Sequence, residues 1–147
     1  MKDPLDEARR WLTHAQDEYQ DAEELRERGR FYLALFHFQQ AAEKALKAFL
    51  YAHTDDRQVF FTHSVLELIQ AATDLEPDLA GLERASRLDQ YYIPTRYPNS
   101  LPGGVPSRFY ADPEEAAAAS ALARQVIEAI VRRLQNLESP SEKEQQR

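Results

Sequence analysis

Cysteine is absent, methionine and tryptophan occur once each, and there are only four glycines. Without cysteine the chain forms no disulfide and no thiolate metal site, as suits a reducing compartment. Two of the glycines, Gly103 and Gly104, are adjacent, and no glycine-rich loop is available to cradle a phosphate. The four histidines (His14, His37, His53 and His63) include no i,i+4 pair with an acid, so a helical metal site lacks its ligands. No serine-nucleophile motif occurs. No apolar run approaches the ~20 residues of a membrane span. Met1-Lys2-Asp3-Pro4 leads straight into charged helical sequence without an apolar signal region, so the cytoplasm is the expected compartment. Positive charge is also scarce. The net charge of -7 argues against the broad phosphate footprint of a DNA-binding domain, although it leaves room for a local basic pocket. Neither a metal nor a cofactor is expected.

What is present is ordinary for a soluble domain: 43% apolar and 29% charged residues, and 147 residues in all, enough for one core. Nearly every segment reads as helix, so the expected class is all-α. Asp3 and Pro4 open a helix over 4–28, with Leu5, Ala8, Leu12, Ala15, Tyr19 and Ala22 inward, and Gly29 closes it. A second helix, 31–53, carries Ala34, Leu35, Phe38, Ala42, Ala45, Leu46 and Phe49. After a connection at 54–61, Thr62 is placed to cap a third helix, 63–75, and Glu76-Pro77 breaks it. A fourth, 78–92, uses Leu79, Leu82, Ala85 and Leu88. Asp112-Pro113-Glu114-Glu115 starts a last helix running to about 138, and the polar residues 139–147 are expected to be disordered.

Between the last two helices, residues 94–111 contain Pro94, Pro98, Pro102 and Pro106 and the glycine pair, so regular structure is not expected there. Long loops in compact domains are often functional. This one reverses the charge of the chain: from 81 to 110, Arg84, Arg87, Arg96 and Arg108 face only Glu83 and Asp89. The same stretch holds Tyr91, Tyr92, Tyr97 and Tyr110. Arginine forks suit phosphate and tyrosine rings suit a stacked base, so a nucleotide or RNA site is one reading. A loop pinned by tyrosine packing, with Arg96 paired to a carboxylate, is the other. Similarly, His37, Gln40, Lys44, Lys47 and Tyr51 recur every three or four residues on the second helix. They form either a solvated face with a Glu43–Lys47 ion pair or a groove for an anion. The last helix is apolar beyond one narrow stripe, which points to burial against a second subunit or to a central place in the bundle.

These residues resemble the HEPN family, the "higher eukaryotes and prokaryotes nucleotide-binding" helical domains. The matching pieces are Trp11, Ala15, Asp17, Ala22 and Leu25; then Tyr32, Ala34 and Phe36. The string Gln39-Gln40-Ala41-Ala42-Glu43-Lys44-Ala45-Leu46-Lys47-Ala48 follows. Thr62-His63-Ser64-Val65 with Leu68, and Leu88, Tyr91 and Arg96-Tyr97-Pro98, complete the pattern. The resemblance implies an up-and-down bundle of four to five helices with one long Pro-rich loop, forming a single domain over 1–138, commonly a homodimer. It implies association with nucleotide or RNA, and often a small nucleotidyltransferase partner in a toxin–antitoxin-like pair. Lys44, Lys47, His63, Tyr91, Arg96 and Tyr97 carry over as candidate nucleotide-binding residues.

The chain departs from the ribonuclease branch, which places a histidine four to six residues after an arginine so that a proton acceptor and a charge stabiliser meet at the phosphate. No histidine follows Arg96. Arg57 and His63 match the spacing but lie upstream of the Arg-Tyr-Pro loop. Binding rather than cleavage is therefore expected, as in a non-nuclease branch. The alternatives are a metal-independent ribonuclease using Arg57 or Arg96 with His63, and a purely structural interaction module.

Overall fold

Five α-helices and one long stretch of tighter 3-10 winding build the computed structural model, which describes residues 3–145, with side chains to position 137. Helix α1 (Pro4–Glu27) starts where Asp3 accepts a hydrogen bond from the Leu5 amide at 2.9 Å. Pro4 takes the first position, where no amide is needed. The helix closes in a Schellman turn: Gly29 takes φ 74°, its amide donates to the Arg26 carbonyl, and the Arg30 amide donates to the Leu25 carbonyl. Only glycine adopts that backbone without strain. The chain then reverses into α2 (Phe31–His53). Ala8, Ala15 and Ala22 recur every seven residues, are fully buried, and let α1 lie close along α2.

The centre of the bundle is α2, with α1, α3, α5 and residues 77–91 packed around it. Its buried residues, among them Leu35, Phe38, Ala42, Leu46, Phe49 and Leu50, cover more than one face, as expected of a helix enclosed by neighbours. Helix α5 (Pro113–Gln145) instead spends its apolar positions on α2, α1 and the 77–91 run. Ala116, Ala123, Val126, Ile127, Ile130 and Leu134 are buried within a single copy. The breadth of its apolar stripe therefore has an explanation inside one chain. Helix α5 also continues beyond the expected end near 138, through Glu142, Lys143 and Glu144, which are good helix formers. Of the polar tail, positions 146 and 147 lie outside the described residues.

Two local expectations are corrected. Helix α3 (Val65–Leu75) is capped by Ser64 rather than Thr62. The Ser64 hydroxyl accepts from the Glu67 amide at 3.2 Å, and Thr62 serves one step earlier by accepting from the Ser64 amide at 3.1 Å. The segment expected as a fourth α-helix is a 3-10 helix over Pro77–Tyr91. Its apolar positions explain the difference: Leu79, Leu82, Ala85, Leu88 and Tyr91 repeat at an interval of three, which matches 3.0 residues per turn rather than 3.6. That row faces the bundle, with all but the half-buried Leu82 fully buried.

The proline-rich stretch is more regular than expected. Pro98 and Pro106 each take the first position of a single helical turn, Pro98–Ser100 and α4 (Pro106–Phe109). Thr95, Leu101, Pro106 and Tyr110 are buried and hold the stretch against the bundle.

Candidate functional site

The side chains of α2 that carry charge point in two directions. On one side, Glu18 of α1 accepts hydrogen bonds from His37 Nδ1 at 2.7 Å and from Lys44 Nζ. Burial pushes the Glu18 carboxyl up, but the hydrogen bonds from His37 and Lys44 outweigh it and hold the group below its ordinary range. Tyr51, on the same row, stacks on Trp11 and on Phe60. Three of the five residues of the helix-two stripe thus serve the α1–α2 contact.

On the other side, Lys47 donates to Glu43 at 3.1 Å, and both side chains are about 95% removed from solvent, at 5% and 4% exposure. The Glu43–Lys47 pair anticipated on a solvated face is present but buried. Glu43 also lies 3.3 Å from His63 Nδ1 and accepts from Gln40 at 3.3 Å. Gln39 donates to the His63 carbonyl at 2.8 Å, fixing the residues before α3 to the middle of α2. Asp89 completes the join from the far end of the 3-10 helix. It accepts from the Val65 amide at 2.7 Å, the Leu66 amide at 3.0 Å and the Ser64 hydroxyl at 3.1 Å. It supplies an acid at a helix start, where the exposed amides and the dipole favour one.

Tyr92 lies three residues beyond Asp89 and ties this network to the loop. The His63 ring stacks on it with centroids 5.3 Å apart and planes inclined by 20°. The Arg96 guanidinium lies 4.6 Å from the centroid of Tyr92, 4.6 Å from that of Phe36 and 5.1 Å from that of Tyr97. Arg96 Nε donates to the Tyr92 carbonyl at 2.7 Å. With Nε occupied and Cζ held over the rings, the remaining donors belong to the two terminal nitrogens, a fork of the kind that grips carboxylate or phosphate. Arg96 is exposed and has no carboxylate within ion-pair distance among the described residues. Tyr97 keeps 48% of its surface in solvent.

The candidate residues therefore divide. His63 and Arg96 meet on Tyr92, Tyr97 lies against Arg96, and Lys47 reaches the same place through Glu43. Lys44 turns to α1. Tyr91 turns to α5, where its hydroxyl donates to Glu115 at 2.8 Å and its ring meets Tyr110 edge-on. Burial, then the Glu115 carboxylate, pushes the Tyr91 hydroxyl well above its ordinary pKa. Arg57 and His63 do not converge. Arg57 lines a cleft of about 310 Å³ with Pro4, Glu7, Tyr51 and Phe60 at another end of the bundle. Phe36, Tyr92 and Asp89 were not among the candidates. Phe36 has the spacing that would have found it: with Gln40, Glu43 and Lys47 it recurs at four, three and four along α2.

The HEPN domain model matches residues 8–134. The chain belongs to the HEPN family. Its structure is similar to the crystal structure of TT1696 from Thermus thermophilus, with 38% identity, a TM-score of 0.71, and coverage of 86% of this chain and 97% of that one. It is also similar to ST0689, an archaeal HEPN homologue, at 25% identity and a TM-score of 0.67, covering 91% of this chain and 99% of that one. No curated protein matches. In this HEPN domain no helix among the described residues is long and apolar enough to cross a membrane. Nor does any group of three acidic or histidine side chains among them converge as metal ligands would.

Proposed function

We propose that this HEPN domain binds a nucleotide or RNA phosphate at Arg96, in the non-nuclease manner that its Arg-Tyr-Pro motif suggests. The observation that carries the reading is the state of Arg96: a guanidinium braced on three rings and one carbonyl, facing solvent, with no acid to neutralise it. A phosphate would meet the free edge of the fork, and a base would find Tyr97 beside it. Lys44 and Lys47 act in this reading by holding α2 in place, since Glu18 and Glu43 already compensate them. A homodimer, paired with a small nucleotidyltransferase in a toxin–antitoxin-like system in the cytoplasm, is the setting we infer from the family. Titration with nucleoside monophosphates followed by calorimetry should show binding that weakens with salt and is lost in Arg96→Ala. Equal binding by the wild type and the variant would overturn the reading, as would no binding by either.

A second reading draws on the meeting of His63 and Arg96 around Tyr92. A histidine and an arginine so placed are the two groups a metal-independent ribonuclease needs. Incubation with RNA in chelator tests it: cleavage lost in His63→Ala would support it, and cleavage that survives would reject this mechanism.

A further inference from the structure

A 3-10 helix with three residues per turn sorts its side chains into three straight rows. Over Pro77–Tyr91 the first row, Leu79, Leu82, Ala85, Leu88 and Tyr91, faces the bundle. The second contains Glu83, Ser86 and Asp89 and leads to Tyr92. The third is Asp78, Gly81, Arg84, Arg87 and Gln90, and every one of these residues is exposed. An α-helix would rotate Arg84 and Arg87 away from each other by about a sixth of a turn. The 3-10 winding eclipses them, one guanidinium per turn at an interval of about 6 Å along the axis. Neither has an ion-pair partner among the described residues, although Glu83 is next in sequence to Arg84. The row ends at the turn that carries Tyr92, Arg96 and Tyr97.

We propose that the Arg84–Arg87 edge of the 3-10 helix is a track for the phosphodiester backbone of an unpaired nucleic-acid strand whose end is held at Arg96. This rests on the reading that Arg96 binds phosphate, and it names the ligand class. The Arg96 surface offers one uncompensated cation, which suits a single phosphate. The row adds two more in a line, and phosphates along an extended strand repeat at a comparable interval. Exposed tyrosine at the Arg96 end favours a strand over an acidic peptide, because bases stack there whatever their sequence. A duplex, with its bases enclosed, gains nothing from Tyr97.

The full-length chain would be titrated with adenosine monophosphate and with a labelled eight-nucleotide RNA, for the wild type, Arg96→Ala and the double variant Arg84→Gln/Arg87→Gln. We expect the strand to bind at least tenfold more tightly than the mononucleotide. The double variant should lose that gain while keeping mononucleotide binding, and its salt slope should fall by about 1.4, from about 0.7 for each phosphate contact. Matching thermal unfolding of the double variant and the wild type would show that both fold. Arg96-dependent mononucleotide binding without a gain for the strand would overturn the track and leave the Arg96 reading standing. So would a gain that survives the double variant, a duplex bound as tightly as the strand, or an octaglutamate peptide bound in place of it. Loss of all Arg96-dependent binding would overturn both. Ribo- and deoxyribo-strands tell the two sources apart, and either one held through Arg84 and Arg87 meets the proposal.

Discussion

Lys44 and Arg96 are both cations of the family pattern, one on α2 and the other against it, yet they are in opposite electrostatic states. Lys44 meets the carboxylate of Glu18, itself shared with His37, at the packed α1–α2 contact. Arg96 meets three rings and a carbonyl and keeps its charge open to solvent. Lys47 repeats the first case in a more buried form. A positive residue counted from sequence is therefore not the same as a positive charge available to a ligand. The internal carboxylates decide which cations hold the bundle and which stay open to solvent.

The contrast is tested most severely at Glu43–Lys47. Replacing Glu43 by leucine leaves Lys47 buried without its partner, and we expect a loss of about 3–5 kcal/mol in urea unfolding. The double variant Glu43→Leu/Lys47→Met should recover most of that loss, because an apolar pair of similar volume avoids the desolvation cost. A single variant as stable as the wild type would mean that Lys47 has another outlet. Asp89→Ala comes next. It removes the acceptor for two amides and a hydroxyl at the start of α3, and should cost about 2 kcal/mol in the same measurement.

How much of this was legible follows the kind of interaction. Helix positions came from local signals that the fold respects: Asp3-Pro4, the glycine at 29, and Asp112-Pro113. The period of three in Leu79, Leu82, Ala85, Leu88 and Tyr91 is also present in the sequence; each single i,i+3 step fits an α-helix as well, and only the whole row, which would drift about two thirds of a turn on a helix of 3.6, separates the two. The partners of Lys44 and of the α3 start were not legible. Glu18 and Asp89 lie 26 and 24 residues from the groups they bind, and one acid among many on a charged helix carries no local mark. Tyr91 and Tyr92 make the same point. One position apart, they turn to α5 and to Arg96 respectively, which a count of tyrosines does not separate.

The Glu18 cluster gives a smaller effect that reads out against pH. Its folded-state pKa is depressed, so the stability it contributes is fully present above the ordinary glutamate value of about 4.3. That contribution is lost as pH falls through the depressed value. Glu18→Gln should therefore flatten the acid limb of a stability profile below about pH 4.3 relative to the wild type. Lys44→Met should weaken the limb without abolishing it, because the His37 hydrogen bond to Glu18 remains. We expect Lys44→Met to cost about 1–2 kcal/mol at neutral pH. An unchanged acid limb in Glu18→Gln would place the titrating group elsewhere.

The smallest expected stability effect belongs to Arg96, the residue proposed to bind phosphate. Arg96→Ala removes cation–ring contacts at an exposed site, worth about 0.5–1 kcal/mol, together with one hydrogen bond to a carbonyl that water can replace. It breaks no ion pair. Thermal unfolding should therefore shift only slightly while nucleotide binding is lost. Arg96→Lys sharpens the same point. It keeps the charge but loses the flat stacking surface and the two-pronged edge, so it should bind more weakly than wild type even though net charge is unchanged. If Arg96→Lys binds as well as the wild type, charge alone is sufficient and the three rings serve only to pack the loop. If Arg96→Ala unfolds as readily as Glu43→Leu, Arg96 belongs with Lys44 and Lys47 among the cations that hold the bundle.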